Sequence, residues 1–145
     1  MTVIAFDGKT LAADKRSSSN SVIHVITKIH RIGNLLVAHS GPVDFGLVMV
    51  EWVRSGRVPE KFPASQRGSD WAPVLVIEAD GSMSSYNQAP YPIRWEGRFG
   101  AIGSGREYAL AAMHLGKTAA EAVAVACALD PSCGNGIDTL TLQPP

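Results

Sequence analysis

A chain of 145 residues, 46% hydrophobic and 18% charged, has the size and composition of one globular domain spanning 1–145; a disordered tail and a pair of ordinary domains are both excluded. Thirteen Lys and Arg balance thirteen Asp and Glu, so the broad positive field of a sequence-independent nucleic-acid binder is missing, and little repulsion keeps copies of the chain apart. No apolar run approaches the roughly 18 residues of a membrane span, the start lacks a basic region before Asp7, and Cys127 and Cys133 have no metal-ligand spacing. These features predict a cytoplasmic protein with no signal peptide, reduced thiols, no disulfide and no metal.

The first forty residues read as two hairpins. Residues 2–6 form a strand, Asp7-Gly8 turns, and 9–14 return, ending in Ala12-Ala13-Asp14. The serine-rich stretch 15–21 is too polar to bury and reads as a loop. Residues 22–32 are β-branched and alternating, turn at Gly33-Asn34, and come back over 35–39. Ser40-Gly41-Pro42 then opens a helix over 43–54 that is apolar almost all round, so it is buried or covered by a neighbour.

Residues 57–73 carry three prolines and read as an irregular surface connection. A third hairpin follows, 74–78 and 83–86 around Asp80-Gly81, then a proline-rich loop and a short strand over 99–103. Two helices come next. Ser104-Gly105-Arg106-Glu107 and Thr118-Ala119-Ala120-Glu121 both fit the S/T-x-x-E capping box; the first helix stops at Gly116 and the second at Asp130, before Pro131. Residues 137–142 form the last strand. Dominant hairpins with clustered helices predict an α+β fold with antiparallel sheets.

The glycine-rich run Gly100-Ala101-Ile102-Gly103-Ser104-Gly105 matches neither GxGxxG nor GxxxxGK[ST] and lies in no βαβ unit. It reads as a tight turn ending in the Ser104 cap. The chain start offers different chemistry. With Met1 removed, Thr2 would carry an α-amine and a β-hydroxyl on adjacent carbons, a recognised nucleophile and base pair. Asp14 and Lys28 interrupt apolar strands, where a buried charge is costly unless paired. Either they pair, placing an ammonium beside the Thr2 amine, or they are sheet-edge charges facing water. His24, His30, His39 and His114 are scattered, with no zinc-ligand spacing. His39 either contacts substrate or is a satisfied strand-end histidine, and Trp52, Trp71 and Trp95 read as packing residues.

Thr2-Val3-Ile4-Ala5, Leu11-Ala12-Ala13-Asp14, Thr27-Lys28-Ile29-His30-Arg31-Ile32, Val37-Ala38-His39-Ser40-Gly41 and Ala101-Ile102-Gly103-Ser104-Gly105 together resemble HslV and proteasome β-subunits, which are N-terminal-nucleophile (Ntn) hydrolases. Their order and approximate spacing hold over nearly the whole chain. The chain resembles the short HslV-like proteins of phage and bacterial genomes, with the region between the first helix and the Val74 strand trimmed.

The resemblance implies a four-layer αββα sandwich with the threonine in a cleft between the sheets. By position, Thr2 is the nucleophile, Asp14 holds Lys28, Lys28 tunes the amine, and the Gly41 N–H donates to the oxyanion. Ser104 helps proton traffic together with Asp130, the first residue of Asp130-Pro131-Ser132-Cys133-Gly134, where Cys133 stands at the serine of the family's Asp-x-x-Ser-Gly. A retained Met1 would block the amine and occupy the cleft. The implied function is a threonine endopeptidase acting on peptides or unfolded proteins in a homo-oligomeric ring, with no cofactor and with an ATP-driven AAA+ unfoldase as a further suggested partner. A catalytically silent scaffold and an Ntn amidase acting on a small molecule are the alternatives.

Overall fold

A computed structural model describes residues 2–143. Its two main sheets are built from the predicted hairpins. The first has the strand order β10-β1-β2-β11, formed by β1 (Ile4–Phe6), β2 (Thr10–Asp14), β10 (Gly100–Ile102) and β11 (Ile137–Thr141). The second runs β5-β6-β7-β8-β9, formed by β5 (Ile29–Ile32), β6 (Leu35–His39), β7 (Val74–Ile77), β8 (Met83–Tyr86) and β9 (Ile93–Trp95). All neighbours pair antiparallel.

Side-chain alternation divides the core into three slabs. Ile4, Phe6, Leu11 and Ala13 of the first sheet meet Ile29, Leu36, Leu75 and Ile77 of the second. The opposite faces are covered by helices. Val3, Ala5 and Ala12 pack on α2 (Arg106–His114) and α3 (Ala119–Leu129), where Ala and Val allow close approach. Val37, Val74 and Val76 pack on Met49, Val50 and Val53 of α1 (Val43–Arg54). The result is the four-layer αββα arrangement, and strands buried on both faces explain why the sequence shows apolar runs there. No helix among the described residues is long and apolar enough to cross a membrane.

Four local expectations need correction. The serine-rich stretch 15–21 is not a loop: β3 (Arg16–Ser19) pairs with β4 (Val22–Val25) as a separate hairpin, turned at Asn20 with φ 56°. Its ladder satisfies the backbone while the side chains remain outside, so no apolar alternation marks it. The single strand expected over 22–32 breaks at 26–28 into β4 and β5, which lie in different sheets. Edge strand β9 lies inside the proline-rich loop. Finally, Ser104 does not cap α2: Gly105 is the N-cap and no side chain bonds there, whereas the Thr118–Glu121 box at α3 is complete.

Candidate active site

Thr2 sits at the head of β1, 5% exposed, opposite the end of β2. The Asp14 N–H donates to the Val3 carbonyl at 3.1 Å, and the Val3 N–H donates back to Asp14 Oδ1 at 3.1 Å. This pairing turns a strand-end aspartate inward. Its other oxygen, Oδ2, accepts from the N–H groups of Gly134 at 3.0 Å and Arg16 at 3.2 Å.

Lys28, at the break before β5, points into the same space. Its Nζ lies 2.8 Å from Asp14 Oδ1 and 3.1 Å from Thr2 Oγ1. The two charged side chains are 2% and 0% exposed, so the sheet-edge alternative does not hold. Removing both charges from water is costly, and the pair is tolerable because the carboxylate is also surrounded by three backbone donors.

A second group of bonds fixes the Thr2 backbone. The Gly105 N–H donates to the Thr2 carbonyl at 3.1 Å, and the Ser104 hydroxyl lies 3.4 Å from that oxygen and 3.0 Å from Asp130 Oδ2. Gly103 has φ +95°, and a Cβ there would overlap the Thr2 carbonyl, so glycine is required by both conformation and space. The tight turn of this glycine-rich run therefore also anchors Thr2. The signal was the spacing of Gly103 and Gly105, which periodicity does not interpret.

Asp130, the C-cap of α3, accepts from the Ser132 N–H at 2.8 Å. That bond, outweighing desolvation and aided by Ser104 and Cys133, holds its carboxyl below the usual range. Cys133 is 2% exposed, and burial, with the charges of Asp14 and Asp130, pushes its thiol up to about 12. It therefore stays protonated and donates to Asp130 Oδ2 at 3.5 Å, a weaker donor than a hydroxyl would be.

Thr2, Lys28, Gly41 and Ser104 line one cleft of about 540 Å³, together with Arg16 and His39. Gly41 follows β6 with φ +80°. His39 is 2% exposed and stacks on His30 with ring centroids 5.4 Å apart. Its Nε2 has no hydrogen-bond partner among the described residues. Desolvation first, then the charges of His30 and Lys28, push its pKa down to about 4 against a backbone hydrogen bond at Thr27; His39 is thus a neutral cleft residue, bonded through its ring at Thr27 and with Nε2 left over. No group of three or more His, Cys, Asp and Glu side chains suited to a metal occurs among the described residues. The expectation that Met1 would fill the cleft concerns a residue outside those described.

The sequence matches no family model and no curated protein. Solved structures do match it along its length. BPH of Thiobacillus denitrificans in complex with epoxomicin superposes with a TM-score of 0.74 at 20% identity, covering 99% of this chain and 100% of that one. BPH from the same organism, described without that ligand, gives 0.72 at 20% identity with 100% of each chain covered. Eukaryotic HslV from Trypanosoma brucei gives 0.74 at 18% identity with 99% of each chain covered. The fold is that of the proteasome-like and HslV-like Ntn hydrolases.

Proposed function

We propose that Thr2, freed by removal of Met1, is the nucleophile of a threonine-type peptidase. The observation that carries this reading is the Lys28 Nζ contact with Thr2 Oγ1 at 3.1 Å inside a buried ion pair at the wall of an open cleft. An α-amine has an ordinary pKa of about 7.7–8.0, and a neighbouring ammonium disfavours its protonated form, leaving it free to act as base. The amine takes the hydroxyl proton as Oγ1 attacks the amide carbon. The Gly41 N–H receives the resulting oxyanion, and the protonated amine returns its proton to the leaving nitrogen as the C–N bond breaks. Water then attacks the acyl ester, giving its proton to the same amine; Oγ1 departs with a proton and the acid product is released. Ser104 and Asp130, bonded to each other beside the Thr2 carbonyl, carry protons to and from the amine.

Peptides or unfolded chains are the proposed substrates, and a homo-oligomeric ring is the proposed working form. Exposed Val22, Ile23 and Val25 on β4 and Leu47 and Val48 on α1 support self-association; sedimentation velocity showing only monomer would remove the ring from the reading. An AAA+ unfoldase would feed such a ring.

The test of the nucleophile uses protein whose intact mass shows a chain starting at Thr2. Epoxomicin, bound by the structurally similar BPH, should add covalently to the Thr2 peptide of the wild type and leave Thr2→Ala unlabelled. Absence of label on a free Thr2, with no peptide cleaved, returns the chain to the silent-scaffold reading.

A further inference from the structure

The connection 57–73 holds a side chain whose placement a surface loop does not explain. Gln66 lies in the second of two 3-10 turns, over Ala64–Arg67, and is fully buried. Its amide pairs with one residue in both directions: Nε2 donates to the Ala72 carbonyl at 2.7 Å, and the Ala72 N–H donates to Oε1 at 2.9 Å. Nε2 also donates to the Asn87 carbonyl at 2.8 Å. The β7–β8 ladder ends at the pair Val74–Tyr86, so the Gln66 amide supplies, just beyond that end, the partner that a further strand residue would have given.

The segment held in this way backs the proposed oxyanion donor. Ser40 N–H donates to the Pro73 carbonyl at 3.1 Å. A Cβ on Gly41 would meet the Trp71 carbonyl oxygen at 3.3 Å and Ala72 Cα at 3.4 Å. The Ser40–Gly41 peptide therefore rests directly on residues 71–73, and Ala72 is held at both its N–H and its carbonyl by Gln66.

Resting on the peptidase reading above, we infer that Gln66 is a positioning residue for the oxyanion hole, setting through Ala72 where the Gly41 N–H lies. An oxyanion donor must sit about 2.7–3.1 Å from the developing charge, and loss of one costs roughly 10²–10³ in rate. Binding of the ground state depends less on that placement, so a shift of the 71–73 segment should lower the acylation rate more than the affinity.

The test is the burst of nitrophenolate from a peptidyl p-nitrophenyl ester, measured on protein starting at Thr2. Gln66→Met keeps the length and removes all three bonds. It should lower the saturating acylation rate constant about tenfold or more while the substrate constant stays within about twofold and the burst amplitude follows the folded fraction. A merely structural role would reduce amplitude and leave the rate constant of the surviving sites unchanged; that result, or wild-type kinetics throughout, overturns the inference. Should Gln66→Met fail to fold, Gln66→Glu decides. Its neutral carboxyl offers an O–H donor and a carbonyl acceptor to Ala72, and its carboxylate offers no donor. The ratio of its rate constant to that of the wild type should rise at least about fivefold on acidification from pH 9 to pH 5, since burial raises a carboxyl pKa into that interval; a flat ratio overturns the inference. A wild type that gives neither a burst nor acyl-Thr2 overturns the peptidase reading, and the role of Gln66 with it. A normal wild-type burst beside an unchanged variant overturns the positioning role alone.

Discussion

At the residue scale the site depends on a lysine placed where its charge cannot be solvated. Lys28 and Asp14 are both buried, so removing either leaves an uncompensated charge, with typical costs of about 3–5 kcal/mol. Asp14 keeps three backbone donors when Lys28 is changed, which favours the lower end. Lys28→Met should therefore lower unfolding stability by about 3 kcal/mol in urea titration and abolish Thr2 labelling under conditions where the protein stays folded. Unchanged labelling would confine Lys28 to structure. The two cysteines test burial differently. Cys133, with its thiol pushed up to about 12 and 2% exposed, should resist iodoacetamide until the protein unfolds. Half-buried Cys127, raised mainly by desolvation, should be alkylated first in mass-mapped time courses at pH 8, because the thiolate is the reactive form and access limits the rest. Equal rates in the native protein would contradict the burial of Cys133 beside Asp130.

At the scale of elements, two identical motifs have different outcomes. Thr118 and Glu121 exchange both capping bonds, at 3.2 and 3.0 Å, whereas Ser104 turns its hydroxyl toward Asp130 and Thr2. S/T-x-x-E states which side chains are available but not which way they point, so the sequence made the two look alike. Thr118→Ala should cost about 1 kcal/mol of stability and leave Thr2 labelling intact. Ser104→Ala should cost α2 no cap and slow labelling instead; the reverse pattern in paired melts and labelling rates would restore Ser104 as a cap. Strands β1, β2, β6, β7 and β8 were legible because each puts apolar residues into a core slab. Strands β3 and β9 were not, since Ser17, Ser18 and Ser19 are held by ladder bonds alone and β9 is a short edge among prolines. The site was legible through Thr2, Asp14 and Lys28, whose chemistry is carried by residue type. Gln66 and Gly105 were hidden because each bonds backbone groups brought near only by tertiary packing.

At the scale of the whole molecule, burial of titratable groups bounds the pH range of stability on both sides. His39 lies between the second sheet and α1, so close to Gly46 that a Cβ there would come within 2.6 Å of Nδ1. Its pKa falls from 6.5 to about 4, with His30 lowered beside it by desolvation and Arg54. Between those values the unfolded chain binds more protons than the folded one, so stability rises with pH and is lost as pH falls from 6.5 toward 4. A shift of that size corresponds to about 3 kcal/mol. Cys133 acts in the opposite range. Its thiol is raised from 9 to about 12, so the folded protein retains a proton that the unfolded chain releases, and stability declines as pH rises above 9. The thermal midpoint should therefore form a plateau between these limbs. In His39→Gln the acid limb should flatten, leaving the smaller His30 and carboxylate contributions, and in Cys133→Ala the alkaline limb should flatten while the acid limb is unchanged. Melting curves from pH 4 to 11 separate the two; an acid limb of the same slope in His39→Gln would mean that the histidine stacked under α1 is charged in the folded protein.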